Sequence, residues 1–137
     1  MVVSAQHDVL LRYLEAYNAA DDDALDQFVT PGYVHHNNAD ELTLAQFKRG
    51  AAWYRRGLPD FRVEIQDLVE SGDRIVMRFT ATGTHQASMF GEAPTGGTVR
   101  LYGMMLYRFE DGLIAEDWEH SDEGDLRRQV GALPPEG

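Results

Sequence analysis

The chain has 137 residues, no cysteine, and 12 lysines and arginines against 23 aspartates and glutamates, a formal net charge of −11. This length suits one domain, over 1–137, with a hydrophobic core of its own. The lack of cysteine excludes disulfides, thiol nucleophiles and zinc sites built on sulfur. The negative charge argues against nucleic acid or an anionic membrane as a partner. No apolar run approaches a membrane span and no signal-peptide pattern opens the sequence, so a cytoplasmic location is expected.

Two helices are predicted at the start of the chain. Apolar residues at helical spacing follow a potential cap at Ser4 and predict a helix over 5–19. The acidic run 21–23 precedes a short second helix, where carboxylates are favourable at the N-cap and in the first turn. The alternative is that these three aspartates bind a metal ion. The Pro-Gly pair at 31–32 is predicted to end that helix.

An extended segment with two adjacent histidines leads into a third helix. Neighbouring side chains of an extended chain point to opposite sides, so at most one of His35 and His36 can face a pocket. The alternative for each is a surface or capping histidine. Thr43 and Gln46 have the spacing of a capping box, and the helix that they begin is predicted to end near 57–59.

From residue 60 the hydrophobic period changes from helical to two, which predicts a sheet. Gly103, within a strand, suggests a bulge or a bend. Helices followed by an antiparallel meander indicate an α+β fold in which N-terminal helices pack on a strongly bent antiparallel sheet, a conical barrel with an internal pocket. A short C-terminal helix follows, and the tail 133–137 is predicted to fray or to contact another subunit. The predicted strands are 61–69, 74–82, 98–109 and 113–122.

The last predicted strand carries the candidate chemistry. Strict alternation places two large hydrophobes and three ionisable groups on one side of it, a mixture that suits the wall of a half-buried pocket. Asp122, at the end of this face, is the candidate acid/base; its alternative role is the cap of the following helix. His120 is either a pocket group or a solvated group at the rim. The shared face consists of Ile114, Glu116, Trp118, His120 and Asp122.

Alternation along the strand before the long loop places His85 on the apolar side. His85 is therefore expected to point into the protein, either as a hydrogen-bonded structural histidine or as a pocket group near substrate. No His-x-His or His-x₃-His pair supports a metal site.

Short motifs occur in a fixed order along the chain. They are Leu58-Pro59-Asp60, Gly72-Asp73-Arg74-Ile75-Val76, Gly83-Thr84-His85, Gly91-Glu92-Ala93-Pro94-Thr95-Gly96, Asp111-Gly112-Leu113-Ile114-Ala115-Glu116, Trp118, Asp122 and Gln129-Val130-Gly131. With this order the chain resembles the SnoaL-like polyketide cyclase family of the nuclear transport factor 2-like superfamily, over roughly residues 8–131. Ala87 departs from the glycine that the family often has after its His-x pair, which concerns loop shape and substrate preference.

The resemblance implies a bent-sheet barrel, a homodimer or homotetramer, and cofactor-independent intramolecular aldol cyclisation of a small aromatic polyketide ester. It assigns the acid/base role to Asp122. His85, which the alternation along its strand places on the apolar side, is the second candidate catalytic group. Other enzymes of this fold, namely epoxide hydrolases, dehydratases and isomerases, and non-catalytic binding proteins are the alternatives. The predicted substrate contacts are His36, Trp118, Trp53, Tyr33, His120 and Met105.

Overall fold

The computed structural model describes residues 4–132. The subunit contact predicted at 133–137 lies outside the described residues, and the predicted homodimer or homotetramer stays a prediction. None of the helices in the described range combines the length and the apolar character needed to cross a bilayer. The elements in chain order are α1 (Ala5–Asn18), a 3₁₀ helix (Asp22–Phe28), β1 (Val29–Asn37), β2 (Asp40–Leu42), α2 (Leu44–Gly57), β3 (Arg62–Ser71), β4 (Arg74–Thr84), β5 (Thr98–Glu110), β6 (Leu113–Ser121) and α3 (Glu123–Gln129).

The six strands form one curved sheet in the order β2-β1-β6-β5-β4-β3. All neighbouring pairs are antiparallel except β1 and β6, which run parallel. The α+β class is confirmed, whereas the purely antiparallel meander is wrong. A parallel partner needs a long connection, and sequence periodicity does not show that the segment after the first two helices returns to the middle of the sheet.

The helix starts follow the predicted capping residues. Ser4 accepts a hydrogen bond from a backbone amide of the first turn of α1, and Thr43 and Gln46 form the complete reciprocal capping box of α2. Asp21 caps the 3₁₀ helix, so this part of the acidic run satisfies a backbone amide. The prediction for Pro31 was wrong: it lies inside β1, where the pairing with β6 changes register.

The inner face of the sheet follows the predicted alternation in β4 and β5. Every second residue of both strands is buried or nearly so, and His85 is fully buried, as expected. Gly103 does not mark a bulge, because its pairing with Phe79 continues the regular ladder. A Cβ at Gly103 would come within 2.6 Å of the Phe79 ring, so the glycine allows the ring to cross the strand.

The alternation in β6 changes phase at its beginning, and this corrects the predicted pocket face. Ile114 and the following Ala115 are both buried, and the register with β5 shifts at this point. An extra residue in one strand turns every later side chain to the opposite face. From there Asp117 and Glu119 face inward, whereas Glu116 turns outward.

Candidate active site

A cavity of about 110 Å³ lies between the inner face of the sheet and the helices α1 and α2. Its wall is mainly apolar and aromatic, and it includes Met105, one of the predicted substrate contacts. Gln46 and Gly50 of α2 line the cavity and are exposed, so the cavity opens between them and the end of β2. Apolar wall residues include Phe47, Phe61, Val63, Met77, Phe79 and Leu101.

The main polar group in this wall is the imidazole of His35. The residue is only 1% exposed, and its ring packs against Phe47 of α2 with the centroids 4.8 Å apart. Its Nδ1 is 2.5 Å from Asp117 Oδ1, and its Nε2 is 3.4 Å from Glu119 Oε1. The parallel pairing of β1 with β6 brings these three side chains together.

Asp117 is a buried carboxylate behind the histidine. It accepts a hydrogen bond from the Tyr33 hydroxyl at 2.6 Å as well as the contact from His35. Because Asp117 accepts a hydrogen bond from the Nδ1–H group, the proton on Nδ1 is held in place and Nε2 is the nitrogen that can exchange a proton on the cavity side. Tyr33, predicted as a pocket wall, instead holds this carboxylate from behind.

Glu119 presents its carboxylate to the cavity. Its side chain is 18% exposed, so a ligand can reach it. The Ser121 hydroxyl donates to its Oε2 at 2.8 Å, and His35 Nε2 lies by its Oε1. Glu119 thus combines a fixed orientation with access from the cavity.

At neutral pH the imidazole of His35 and the carboxylate of Glu119 carry opposite charges. Burial works to lower the pKa of His35, but the hydrogen bonds that its ring donates to Asp117 and Glu119 outweigh burial and raise that pKa from 6.5 to about 9. Burial opposes ionisation of Glu119 as well, yet its contacts with His35 leave its pKa below the ordinary value. For Asp117 burial dominates and raises the pKa. The cavity therefore holds an imidazolium donor beside a carboxylate acceptor.

Three of the predicted site residues lie on the outer face of the sheet. His36 and Trp118 stack there with their centroids 4.9 Å apart, and His36 Nε2 contacts Glu116 at 2.6 Å. His120 is exposed on the same outer side. Opposite orientation of the two adjacent histidines is confirmed, but the inward one is His35 and not His36.

The remaining predicted residues also lie away from the cavity lining. His85 Nδ1 accepts from the Thr95 amide at 3.1 Å and helps to hold the loop that follows β4. This is the structural alternative considered above. Trp53 packs edge-on against Phe90, with their centroids 4.9 Å apart, under the same loop.

Asp122 is exposed and caps α3, where its Oδ1 accepts from the Asp125 amide at 3.0 Å. It faces an outer groove together with His120. The geometric premise for an acid/base at Asp122 was wrong, because the phase change at Ala115 turns its face away from the cavity. Asp122 therefore has the helix-capping role that the sequence also allowed.

Replacing Asp122 with alanine is expected to lower the free energy of unfolding by about 0.5–2 kcal/mol, because the cap of α3 is lost. Replacement with asparagine, itself a good cap, should leave stability near the wild-type value. Both variants should retain turnover. Denaturant unfolding and steady-state kinetics check this, and a large loss of kcat in stable Asp122→Asn would restore Asp122 as the acid/base.

All three central residues were missed by sequence reasoning, which selected His36 of the two adjacent histidines as the substrate contact. The alternation of side chains along a strand shows that His35 and His36 point to opposite faces, but it does not show which of them faces the cavity. Asp117 and Glu119 occupy the odd positions of β6, whereas strict alternation selected the even ones. A signal existed in the adjacent hydrophobes Ile114 and Ala115, which are typical of a bulge when both are buried.

Helices covering the inner face of a curved sheet, around an apolar cavity with a few convergent polar groups, define a nuclear transport factor 2-like protein. The chain belongs to the SnoaL-like polyketide cyclase family, whose model matches residues 7–130.

Sequence and structural relatives agree with this membership. Aklanonic acid methyl ester cyclase AcmA of Streptomyces galilaeus is 28% identical over 138 residues, which cover 98% of this chain and 96% of the relative. The structure of AclR, a proposed hydroxylase of Streptomyces galilaeus, superposes with a TM-score of 0.88 at 26% identity, covering 96% and 88% of the two chains. IdmH, a proposed polyketide cyclase of Streptomyces antibioticus, gives a TM-score of 0.84 at 26% identity, with coverage of 92% and 98%.

Proposed function

We propose that this polyketide cyclase-family protein closes a ring by intramolecular aldol addition, using Glu119 as the base and His35 as the acid. The supporting observation is the pair itself: an imidazolium and a carboxylate 3.4 Å apart in the wall of an apolar cavity. Aldol closure needs one group that accepts a proton and another that donates one. Asp117 keeps the acid in the correct tautomer.

In the proposed reaction the Glu119 carboxylate removes a proton from the carbon between two carbonyl groups. The resulting enolate carbon attacks a ketone carbon of the same molecule, which forms one C–C bond and breaks the C=O π bond. His35 Nε2 transfers its proton to the oxygen of that ketone, and a hydroxyl group results. General acid and base catalysis of this kind contributes about 10²–10⁴-fold to a rate.

The cycle closes without an external proton donor. After the reaction Glu119 is protonated and His35 is neutral, with its remaining proton on Nδ1 beside Asp117. Glu119 then returns its proton to Nε2 across the same 3.4 Å contact. The product is an isomer of the substrate, so atoms and charge balance.

The size of the cavity limits how the substrate lies. A dry cavity of about 150 Å³ holds one benzene ring, so a cavity of about 110 Å³ has room for no more than the reacting ring. The rest of a polycyclic substrate must extend through the opening beside Gln46 and Gly50. This favours an aromatic polyketide whose reacting end enters first.

The proposed activity is tested with aklanonic acid methyl ester, the compound in the name of the AcmA relative, followed by mass spectrometry and chromatography. Cyclisation predicts a new product with an unchanged mass. The alternatives give other results: dehydration loses water, and hydroxylation, suggested by the likeness to AclR, adds one oxygen atom. Failure to convert this ester and close structural variants of it would contradict the proposal.

A side chain at position 50 is expected to narrow the opening. Gly50 lies in the middle of α2, and a Cβ there would meet no atom within 4 Å. Glycine costs a helix roughly 0.5–1 kcal/mol relative to alanine, so Gly50→Ala should stabilise the protein with little change in KM. Gly50→Leu should raise KM for a polycyclic ester by about tenfold or more. Equal KM values for the two variants would show that the substrate enters elsewhere.

A further inference from the structure

The Tyr13 hydroxyl is a buried donor that the mechanism above leaves unused. Tyr13 lies on α1 and lines the cavity, and it is only 2% exposed. Its hydroxyl finds no hydrogen-bond partner among residues 4–132. A buried hydroxyl without a partner lowers the stability of a protein. Packing of the free protein therefore does not explain why this position has a tyrosine hydroxyl.

Neighbouring buried tyrosines use their protons within the chain. Tyr33 donates to Asp117 at 2.6 Å, and Tyr107 donates to the sulfur of Met105 at 3.2 Å. Tyr33 is also close enough to Tyr13 to influence its ionisation. That interaction with Tyr33 lowers the pKa of Tyr13, as a hydrogen bond accepted by the Tyr13 oxygen does. The Tyr33 proton is donated to Asp117, and the Tyr13 O–H itself has no acceptor among residues 4–132, so it can donate to a ligand in the cavity that Tyr13 lines.

The proposed reaction creates negative charge on two different oxygens. His35 serves the ketone that is attacked, but the carbonyl next to the deprotonated carbon becomes an enolate before the C–C bond forms. Asp117 cannot stabilise that oxygen, because an ionised carboxylate only accepts hydrogen bonds. Glu119 is protonated at this stage, but its proton lies beside the carbon that it has just deprotonated and is needed to restore His35 Nε2. A second donor is therefore needed on the enolate side.

We propose that Tyr13 donates a hydrogen bond to this enolate oxygen, so that the cavity binds the 1,3-dicarbonyl unit of the substrate between Tyr13 and Glu119. This inference rests on the proposed function. Burial and the nearby Asp117 raise the pKa of Tyr13, so the hydroxyl stays protonated and acts as a donor over the working pH range. The ligand class is an enolisable 1,3-dicarbonyl compound that carries an apolar ring.

Tyr13→Phe is the direct test, with Tyr102→Phe as the matched control. Tyr102 is 52% exposed, on the outer face of the sheet, and its variant should match the wild type. Tyr13→Phe should lower kcat by about 10²-fold, while its thermal midpoint stays equal or rises because an unpartnered polar atom is removed. The high-pH limb of its rate profile should not move, whereas a structural role through Tyr33 and Asp117 would shift that limb.

Binding of a non-cyclisable aromatic 1,3-diketone, measured by calorimetry, separates this inference from the proposed function. Tyr13→Phe should weaken the affinity by about tenfold or more. An unchanged affinity, a kcat within roughly twofold of wild type, or an activity loss that follows a lowered thermal midpoint would overturn the role of Tyr13. If instead Glu119→Gln kept full activity while Tyr13→Phe still lost diketone affinity, the aldol assignment would fail and the Tyr13 site would stand.

Discussion

Replacing Glu119 with glutamine is expected to lower kcat by about 10²–10⁴-fold with a small change in KM. Glutamine has nearly the same shape and retains an oxygen for the Ser121 hydroxyl, but it cannot take up a proton. The loss should therefore appear in the chemical step. Steady-state kinetics with the cyclising ester measure it, and circular dichroism confirms the fold.

A matched control distinguishes the base from a general effect of charge. Glu110 lies at the end of β5 with its side chain 62% exposed, paired at the surface with Arg108. Glu110→Gln removes one negative charge from the same acidic protein and should leave kcat unchanged. If Glu119→Gln retained turnover within about fivefold of the wild type, another group would have to be the base.

Replacing Asp117 with asparagine is expected to move the upper limb of the pH profile to lower pH and to reduce kcat/KM at neutral pH. In the wild type, His35 must be protonated and Glu119 ionised. Activity should hold from above the lowered pKa of Glu119 up to about pH 9, and fall as His35 loses its proton. Without the Asp117 charge, burial of the imidazole dominates and its pKa drops, so the limb moves down.

The size of the loss in kcat/KM depends on where the upper limb of the pH profile lies in the Asp117→Asn variant. With burial lowering the pKa of His35 and the Asp117 charge removed, a smaller fraction of the enzyme has a protonated imidazole at pH 8. The ring also loses the hydrogen bond that orients it. We expect a loss of about 10²-fold or more at pH 8 and a smaller one at pH 6. Asp67→Asn, an exposed surface aspartate paired with Arg78, is the control. An unshifted limb would show that His35 is not the titrating acid.

The free energy of unfolding should depend on pH in the same way as the activity does. Folding raises the pKa of His35 from 6.5 to about 9, so its contribution to stability is full below pH 6.5 and is lost as the pH rises through 9. Glu119 has a lowered pKa, and its contribution is lost as the pH falls through that value. For His35 and Glu119 the working range of the site is therefore also the range in which their charges favour the fold, whereas the raised pKa of Asp117 means that its ionisation opposes folding.

Local rules accounted for much of the fold. The capping box at Thr43 and Gln46, the alternation of β4 and β5, and the opposite orientation of His35 and His36 depend on residues a few positions apart. Such features are encoded by steric and hydrogen-bonding preferences that act over one or two turns. The sequence motifs also sufficed to indicate the family, which the family model confirms.

The identity of the reacting groups depended on contacts between distant segments. Alternation is reliable only while a strand stays in phase, and the extra residue at Ala115 is defined by how β6 pairs with β5. His35 meets Asp117 and Glu119 because β1 inserts parallel to β6, a pairing across about eighty residues that no local pattern reports. The sequence by itself thus determined the helices, the four strands from residue 61 onward and the family, since these follow from short-range physics. Only the tertiary structure decided which carboxylates face the cavity, because one inserted residue reverses a face and the pairing partner determines where that residue lies.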